Sequence, residues 1–282
     1  MTKTLDRVVG IMERAHGRDI SVYDEVFLQK TLEKRLVATG IGNPSAYGEY
    51  LLVNGSEAEA LSCSLSISYS EFFRNQLTCA LLEQLILPGI LATKEKKGRG
   101  EIRVWSAGCA SGQEAYSVAI LLDELVADRG KHAVTFRIFA TDRSEHELES
   151  ARQGVYDFAA VRNVRHKHLQ KYFTARGDAF QVVDRLKKQV DFSVHDMLDE
   201  RLSCPSESIY GDFDLVFCGN LLFYYRPEVR HFILNKICHC LTPGGYLVTG
   251  EAEKEIVTRH ECFRGIVPPS AIFQKNVPRG TT

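Results

Sequence analysis

From Arg103 to Tyr116 the chain reads R-V-W-S-A-G-C-A-S-G-Q-E-A-Y: a short apolar strand, a turn of small residues, then a helical stretch. A strand that feeds a helix through a side-chain-poor bend is the opening of an α/β unit, which narrows the fold sharply. Gly108 and Gly112 carry no Cβ, and Ala107, Ala110 and Ser111 add little bulk, so backbone here can approach a bound nucleoside closely. The spacing is not G-x-G-x-x-G, and no Gly-Lys-Ser/Thr follows, so neither a dinucleotide fingerprint nor a P-loop is present. Taken alone, the segment fits a close-packed α/β turn equally well.

Three later segments sharpen it. Arg137 to Asp142 is an apolar run ending in an acid, and Phe213 to Asn220 is a second one ending in a polar residue. Leu241-Thr242-Pro243-Gly244-Gly245 is a helix stop and tight turn that leads into a further strand. Ligands of open α/β sheets sit beyond the carboxyl ends of the strands, so the glycine loop, Asp142 and Asn220 are expected along one edge. There Asp142 can accept hydrogen bonds from a ribose diol; a turn or capping role is the alternative. Strands are expected near 102–106, 135–140, 190–194, 213–218, 246–250 and 271–275, and helices near 113–127, 144–152 and 227–240. That alternation is α/β, with the last strand, after Pro268-Pro269, entering antiparallel. A long amphipathic helix through Leu77, Leu81, Leu82, Leu85 and Ile86 is expected to end at Pro88-Gly89, and Lys94 to Gly100 to be a solvated connection.

Residues 1–70 read instead as a helical domain. Val8, Val9, Ile11 and Met12 mark one amphipathic helix, and Phe27, Leu28, Leu32 and Leu36 mark another that Gly40 stops. Asn43-Pro44-Ser45 opens a third, and Asn54-Gly55-Ser56 adds a turn. The second domain is then 71–282, interrupted at about 156–189 by a segment that is not a further βα unit. There Leu169, Tyr172 and Phe173 mark a short helix, and Phe180 to Val183 with Lys187 to Val190 suggest a small antiparallel hairpin. Arg162, Arg165, Lys167, Lys171, Arg176, Arg185, Lys187 and Lys188 make the segment basic, which can steer an acidic partner or be ordinary solvated surface.

A chain of 282 residues with 44% apolar content can fill such a core, and a formal charge of −1 gives no sign of nucleic acid binding. No run of about 18 apolar residues and no apolar leader is seen, so a cytoplasmic location without membrane insertion is expected. The eight cysteines are scattered. Only Cys238-His239-Cys240 is tight, and its neighbours repeat at helical spacing, so reduced thiols and no metal site are expected.

The string from Val104 to Ser117 resembles the nucleoside loop of CheR-type chemoreceptor glutamate methyltransferases, which use S-adenosylmethionine. Ser70-Glu71-Phe72-Phe73-Arg74, Ala140-Thr141-Asp142, Ala151 to Tyr156, Phe217 to Asn220 and Leu241 to Gly245 match in the family's order. The resemblance implies a Rossmann-like class I methyltransferase sheet with an N-terminal helical domain and a small inserted β-subdomain. It further implies a monomer that methylates glutamates of a chemoreceptor or related signalling coiled coil and leaves S-adenosylhomocysteine. The helical domain would cover the cofactor cleft and help to recognise the receptor. Of the basic stripe seen on its second helix in relatives, Lys30, Lys34 and Arg35 remain. The insert's turn, Arg176-Gly177-Asp178, is short and lacks proline, so no dependence on a receptor tail peptide is expected.

Site roles follow from the same resemblance. Glu114 would contact the cofactor's amino group, Asp142 the ribose, and Asp196 and Met197 the adenine. Asn220 and Leu221 would lie beside the methyl donor with Gly108 in the loop, and Ser68 and Ser70 would offer hydroxyls. Arg74 would orient both the methionine end and the incoming carboxylate, and Tyr224 would lie close to the transferred methyl, with core packing beside Phe223 and Tyr225 as its alternative. A glutamate acceptor, with an ordinary pKa of about 4.3, needs no general base. The absence of a His/Asp pair is therefore compatible with an enzyme that works by positioning. Among the histidines, His195 lies nearest a strand end and reads as a satisfied structural residue.

Three features depart from the family pattern. Gly219 replaces an arginine, Thr249-Gly250-Glu251-Ala252-Glu253 replaces G-H-S-E, and Glu71 places a negative charge where an anionic substrate should arrive. They keep a second reading open, a non-catalytic module that binds S-adenosylmethionine and signalling partners. A small-molecule methyltransferase is a third, disfavoured by the helical cap and the insert.

Overall fold

A computed structural model describes residues 2–66, 68–96, 98, 100–127, 134–208 and 211–277; Lys97 and Arg99 of the basic run lie outside the described residues. Two compact units emerge, Met1–Ile67 with Phe223–Arg230, and Ser68–Leu222 with His231–Thr282.

In the first unit, helices α1 (Thr2–His16), α2 (Glu25–Thr39), α3 (Pro44–Val53) and α4 (Gly55–Leu65) follow one another through short, capped turns. Asp24 caps α2 by accepting from the Val26 and Phe27 amides, and Gly40 ends it in the left-handed region at φ 70°. Asn43 caps α3, and Asn54 closes α3 while capping α4. Inside, Glu57 accepts from the Arg35 guanidinium at 2.6 Å and from the Tyr47 hydroxyl at 2.7 Å, tying α2, α3 and α4 together. Arg35 is thus turned to a structural pair rather than to a partner-facing stripe.

The second unit is built on a seven-stranded sheet in the order β6-β2-β1-β7-β8-β10-β9. Its strands are β1 (Glu101–Ala107), β2 (Thr135–Asp142), β6 (Val190–Val194), β7 (Phe213–Cys218), β8 (Leu241–Thr249), β9 (Phe263–Gly265) and β10 (Ile272–Lys275). β6, β2, β1, β7 and β8 are parallel, and β10 runs antiparallel between β8 and β9. The α/β class and the antiparallel last strand are as expected; the short edge strand β9 was not read in the sequence. Strand order reverses between β1 and β7, so a crevice opens beyond their carboxyl ends. Helices α7 (Gln113–Ala127), α8 (Glu145–Gln153), α12 (Pro227–Cys240) and α13 (Lys254–Thr258) complete the crossovers. Fully buried Trp105 donates from its indole to the Thr141 hydroxyl at 2.9 Å, locking β1 to β2 just below that crevice.

The helix expected to stop at Pro88-Gly89 does not stop there. α5 (Gln76–Leu81) runs through a π-helical turn, Leu82–Ile86, into α6 (Leu87–Lys96). The wider turn, closed by the Leu87 amide on the Leu82 carbonyl, lets a residue with no N–H sit within a continuous helix. By length and composition Gln76–Lys96 is apolar enough to cross a membrane, but Leu82, Ile86, Leu87, Ile90 and Leu91 are core residues packed under the sheet. At its end Lys94 is no solvated linker residue: it pairs with Asp214 at 2.8 Å.

Between β2 and β6 lies a separate three-stranded sheet in the order β3-β5-β4. β3 is Val155–Asp157, β4 Phe173–Arg176 and β5 Ala179–Val182, accompanied by α9 (Phe158–Val161), α10 (His166–Tyr172) and α11 (Asp184–Lys187). The hairpin is therefore β4 with β5 around Gly177, and Lys187 lies in a helix rather than in a strand. The basic charges of the insert are largely matched: Arg165 pairs with Glu83, Lys171 with Glu124, and Arg185 with Asp123.

The thiol expectation needs one correction. Cys238 and Cys262, brought to a Cα separation of 6.5 Å, are disulfide-bonded, and the other six cysteines are free. The pair joins α12 to the chain just before β9, a proximity created by packing and invisible in local sequence.

Candidate functional site

A cavity of about 340 Å³ lies at the carboxyl ends of β1, β7 and β8, walled on one side by the Tyr69–Asn75 segment and α5. Gly108, Glu114, Gly219, Asn220, Ser70 and Arg74 all line it.

The glycine loop takes its shape from three left-handed residues, Gly108 (φ 75°), Ala110 (φ 46°) and Gly112 (φ 90°). A Cβ on Gly112 would come within 2.9 Å of the Ala151 methyl, and one on Gly108 within 3.1 Å of Leu221. Ala110 is the costly one, since a side chain at positive φ is strained. What holds it is Asp142, which accepts from the Ala110 amide at 2.9 Å through one carboxylate oxygen and from the Ser144 amide at 2.9 Å through the other. Asp142 thus performs the turn role that competed with the ribose role, yet each oxygen keeps a lone pair for a diol. Loop and acid share one edge of the sheet, as their strand positions require.

Glu114 opens α7 and is sunk into the cavity wall, where Ser106 donates to it at 2.8 Å. Burial pushes its carboxyl up to about 7; the Ser106 hydrogen bond opposes this, the charge of Glu253 adds to it, and Arg74 opposes it. Gly219 leaves room directly beside it, a Cβ there lying 3.5 Å from the Glu114 carboxylate.

The F-F-R segment is anchored from within. Phe72 is fully buried, edge-on to Tyr156 and Phe173, a placement that contributes about 2–3 kcal/mol for a phenyl ring. Phe73 sits at φ 49° and donates its amide to the Ser117 hydroxyl at 3.1 Å. Arg74 then projects at the cavity mouth over the Tyr69 ring, 5.3 Å from its centroid. Among the described residues it has no carboxylate within ion-pair distance. Glu71 is not a loose charge: Tyr69 and Arg162 both donate to it, the latter at 2.6 Å, and they hold its carboxyl below the ordinary value.

The remaining residues divide. Leu221 packs toward Gly108. Met197 is buried after β6, whereas Asp196 is exposed and accepts from the Leu198 amide at 2.8 Å, forming a turn of its own. Lys236, missed in the sequence, is buried and donates to the carbonyls of Met197 at 2.9 Å and Asp199 at 2.7 Å, bracing that loop. Ser68 is exposed and outside the cavity wall. Tyr224 belongs to the helical unit, its ring 4.7 Å from Phe27 and 4.2 Å from Phe223. His195 is buried edge-on to Trp105, but among the described residues neither ring nitrogen has a hydrogen-bond partner, so it is not the satisfied histidine expected; burial and the nearby Lys236 lower its pKa and keep it neutral.

The donor set suits the amino-acid end of S-adenosylmethionine: a carboxylate for the ammonium, a guanidinium without a carboxylate partner for the carboxylate, and a glycine edge for the nucleoside. Comparison with known proteins agrees. The family described as CheR methyltransferase, SAM binding domain, matches residues 68–267. A chemotaxis protein methyltransferase of Borreliella burgdorferi is 29% identical over 276 residues, covering 96% of this chain and 94% of that protein. Chemotaxis protein methyltransferase 1 of Pseudomonas aeruginosa is 34% identical over 202 residues, 71% of this chain and 70% of that protein. An uncharacterized 104.1 kDa protein of Rhodobacter capsulatus is 26% identical over 95% of this chain, which spans only 28% of that protein's length. The chain belongs to the CheR methyltransferase family, and its cofactor is S-adenosylmethionine.

Proposed function

We propose that the chain transfers the methyl group of S-adenosylmethionine to glutamate side chains of a chemoreceptor or related signalling coiled coil, producing methyl esters. The observation that carries this reading is the pairing of Glu71 with Arg162 and Tyr69 at the mouth of a cavity where Arg74 has no carboxylate partner. With the Glu71 charge paired, an acceptor carboxylate meets Arg74 rather than the repulsion that favoured a non-catalytic module.

When bound, the cofactor supplies an activated methyl on a sulfonium. Glu114 holds the amino group, Asp142 the ribose and the loop through Gly108 the nucleoside, with Ser70, Asp196, Met197, Asn220 and Leu221 as further contacts. Arg74 orients the acceptor, and Tyr224 is the second catalytic candidate. The acceptor is already ionised at neutral pH, so the residues need only align it and exclude water. Residues 1–70 serve acceptor recognition, residues 71–282 serve transfer, and the protein works as a cytoplasmic monomer.

The test is transfer of tritium from methyl-labelled S-adenosylmethionine to a receptor fraction. Label released as methanol by mild base is the expected result. Label stable to base, or none despite tight S-adenosylhomocysteine binding, sinks the glutamate ester.

A further inference from the structure

Glu253 is fully buried, and its carboxylate accepts from four donors. One oxygen accepts from the Asn220 amide at 2.7 Å, the Thr249 hydroxyl at 2.7 Å and the Gly250 amide at 2.9 Å; the other accepts from the Leu222 amide at 2.6 Å. A carboxylate so placed replaces water for four donors at or just past the ends of β7 and β8, one of them the hydroxyl of Thr249, the last residue of β8. Asn220 is held there at φ 61°, a left-handed conformation that asparagine adopts more readily than most residues but still at a cost. It is the amide of this same residue that Glu253 accepts from. The approach is tight, for a Cβ on Gly250 would lie 2.9 Å from the Asn220 side-chain amide and 2.9 Å from the Glu253 carboxylate. The same short turn reaches the opposite wall, where Glu251 accepts from the Asn75 side chain at 2.7 Å, next to Arg74.

The geometry points to Glu253 as a positioning residue for the cofactor site, fixing the Asn220 backbone so that its side chain faces the cavity while never touching the cofactor itself. This rests on the reading of Asn220 as a cofactor contact. Gln in place of Glu would turn an amide NH₂ toward N–H donors or leave one oxygen to serve all of them, releasing Asn220 from its conformation.

The experiment is a double-mutant cycle read by calorimetric binding of S-adenosylhomocysteine, with urea unfolding in parallel. Glu253→Gln is expected to weaken binding about 10-fold, and Asn220→Gly, which keeps the backbone conformation but removes the side chain, by a similar factor. Adding Glu253→Gln to Asn220→Gly is expected to weaken binding by less than about 2-fold, while its loss of stability is the same in both backgrounds. Binding by Glu253→Gln within about 2-fold of the parent, or a full loss repeated in the Asn220→Gly background, would overturn the assignment and leave Glu253 a general stabiliser. If Glu253→Gln does not fold, Thr249→Val takes its place: removing one donor should weaken binding about 3-fold, and unchanged affinity would overturn it. Failure of the parent protein to bind S-adenosylhomocysteine would overturn the cofactor reading as well, which none of the variant results would do.

Discussion

Two glutamates, one in each unit, are taken out of water and treated in opposite ways. Glu57 in the helical unit meets the Arg35 guanidinium and the Tyr47 hydroxyl; burial would push its carboxyl up, but those hydrogen bonds prevail and hold it below its ordinary value. Glu114 in the cavity meets one hydroxyl, Ser106, and its pKa rises to about 7. The first is a completed structural pair, and the second is a carboxylate awaiting a cation. Incomplete pairing of a buried group, more than burial itself, separates a binding site from a staple.

The contrast breaks most readily in stability. Glu57→Ala leaves Arg35 half-buried without its partner and should cost about 3 kcal/mol in urea unfolding at pH 8, whereas Glu114→Gln should stabilise the protein at that pH. The signs follow from linkage. The lowered pKa of Glu57 gives stability that is present above its unfolded value and lost as pH falls through the folded one. The raised pKa of Glu114 gives stability that is present below its unfolded value and lost as pH rises toward 7. A loss in both variants at pH 8 would erase the distinction.

A smaller effect concerns the cation. Glu114→Ala should weaken S-adenosylhomocysteine about 30-fold by calorimetry, the worth of a charge-assisted hydrogen bond. Because an ammonium favours ionised Glu114, parent affinity should rise about 10-fold from pH 6 to pH 8, and Glu114→Gln should flatten that profile. A flat parent profile would show that Glu114 does not meet the amino group. Arg74→Ala should lower turnover about 10-fold more than it lowers cofactor affinity, and equal losses would deny it an acceptor role. Smallest is Arg162→Ala, which frees the Glu71 charge and should raise KM for the acceptor about 3-fold, an effect that salt diminishes. An unchanged KM would remove Glu71 from the acceptor's path.

Local signals carried most of the scaffold. Gly40, Asn43 and Pro44 mark helix ends within a few residues of where they act, and the small-residue bend after Trp105 announced the crevice because its own backbone forms it. Asp142 was legible for the same reason, as the last residue of its strand. Long-range chemistry was not. Asn75 meets Glu251 across 176 positions and Arg162 meets Glu71 across 91, distances at which spacing says nothing. The π-helical turn before Pro88 hid behind a reliable breaker, and the Lys187 segment was misread because basic residues beside valines suit an edge strand and a short helix alike. Glu253 could be seen only as part of an altered motif. Its importance lies in the four donors folded around it.

The crowding around Gly250 has an evolutionary reading. A methyl group at that position would strike the Asn220 side-chain amide, the Asn220 backbone amide and the Glu253 carboxylate at once. In a library carrying every substitution along the chain, position 250 should be among the columns left nearly blank.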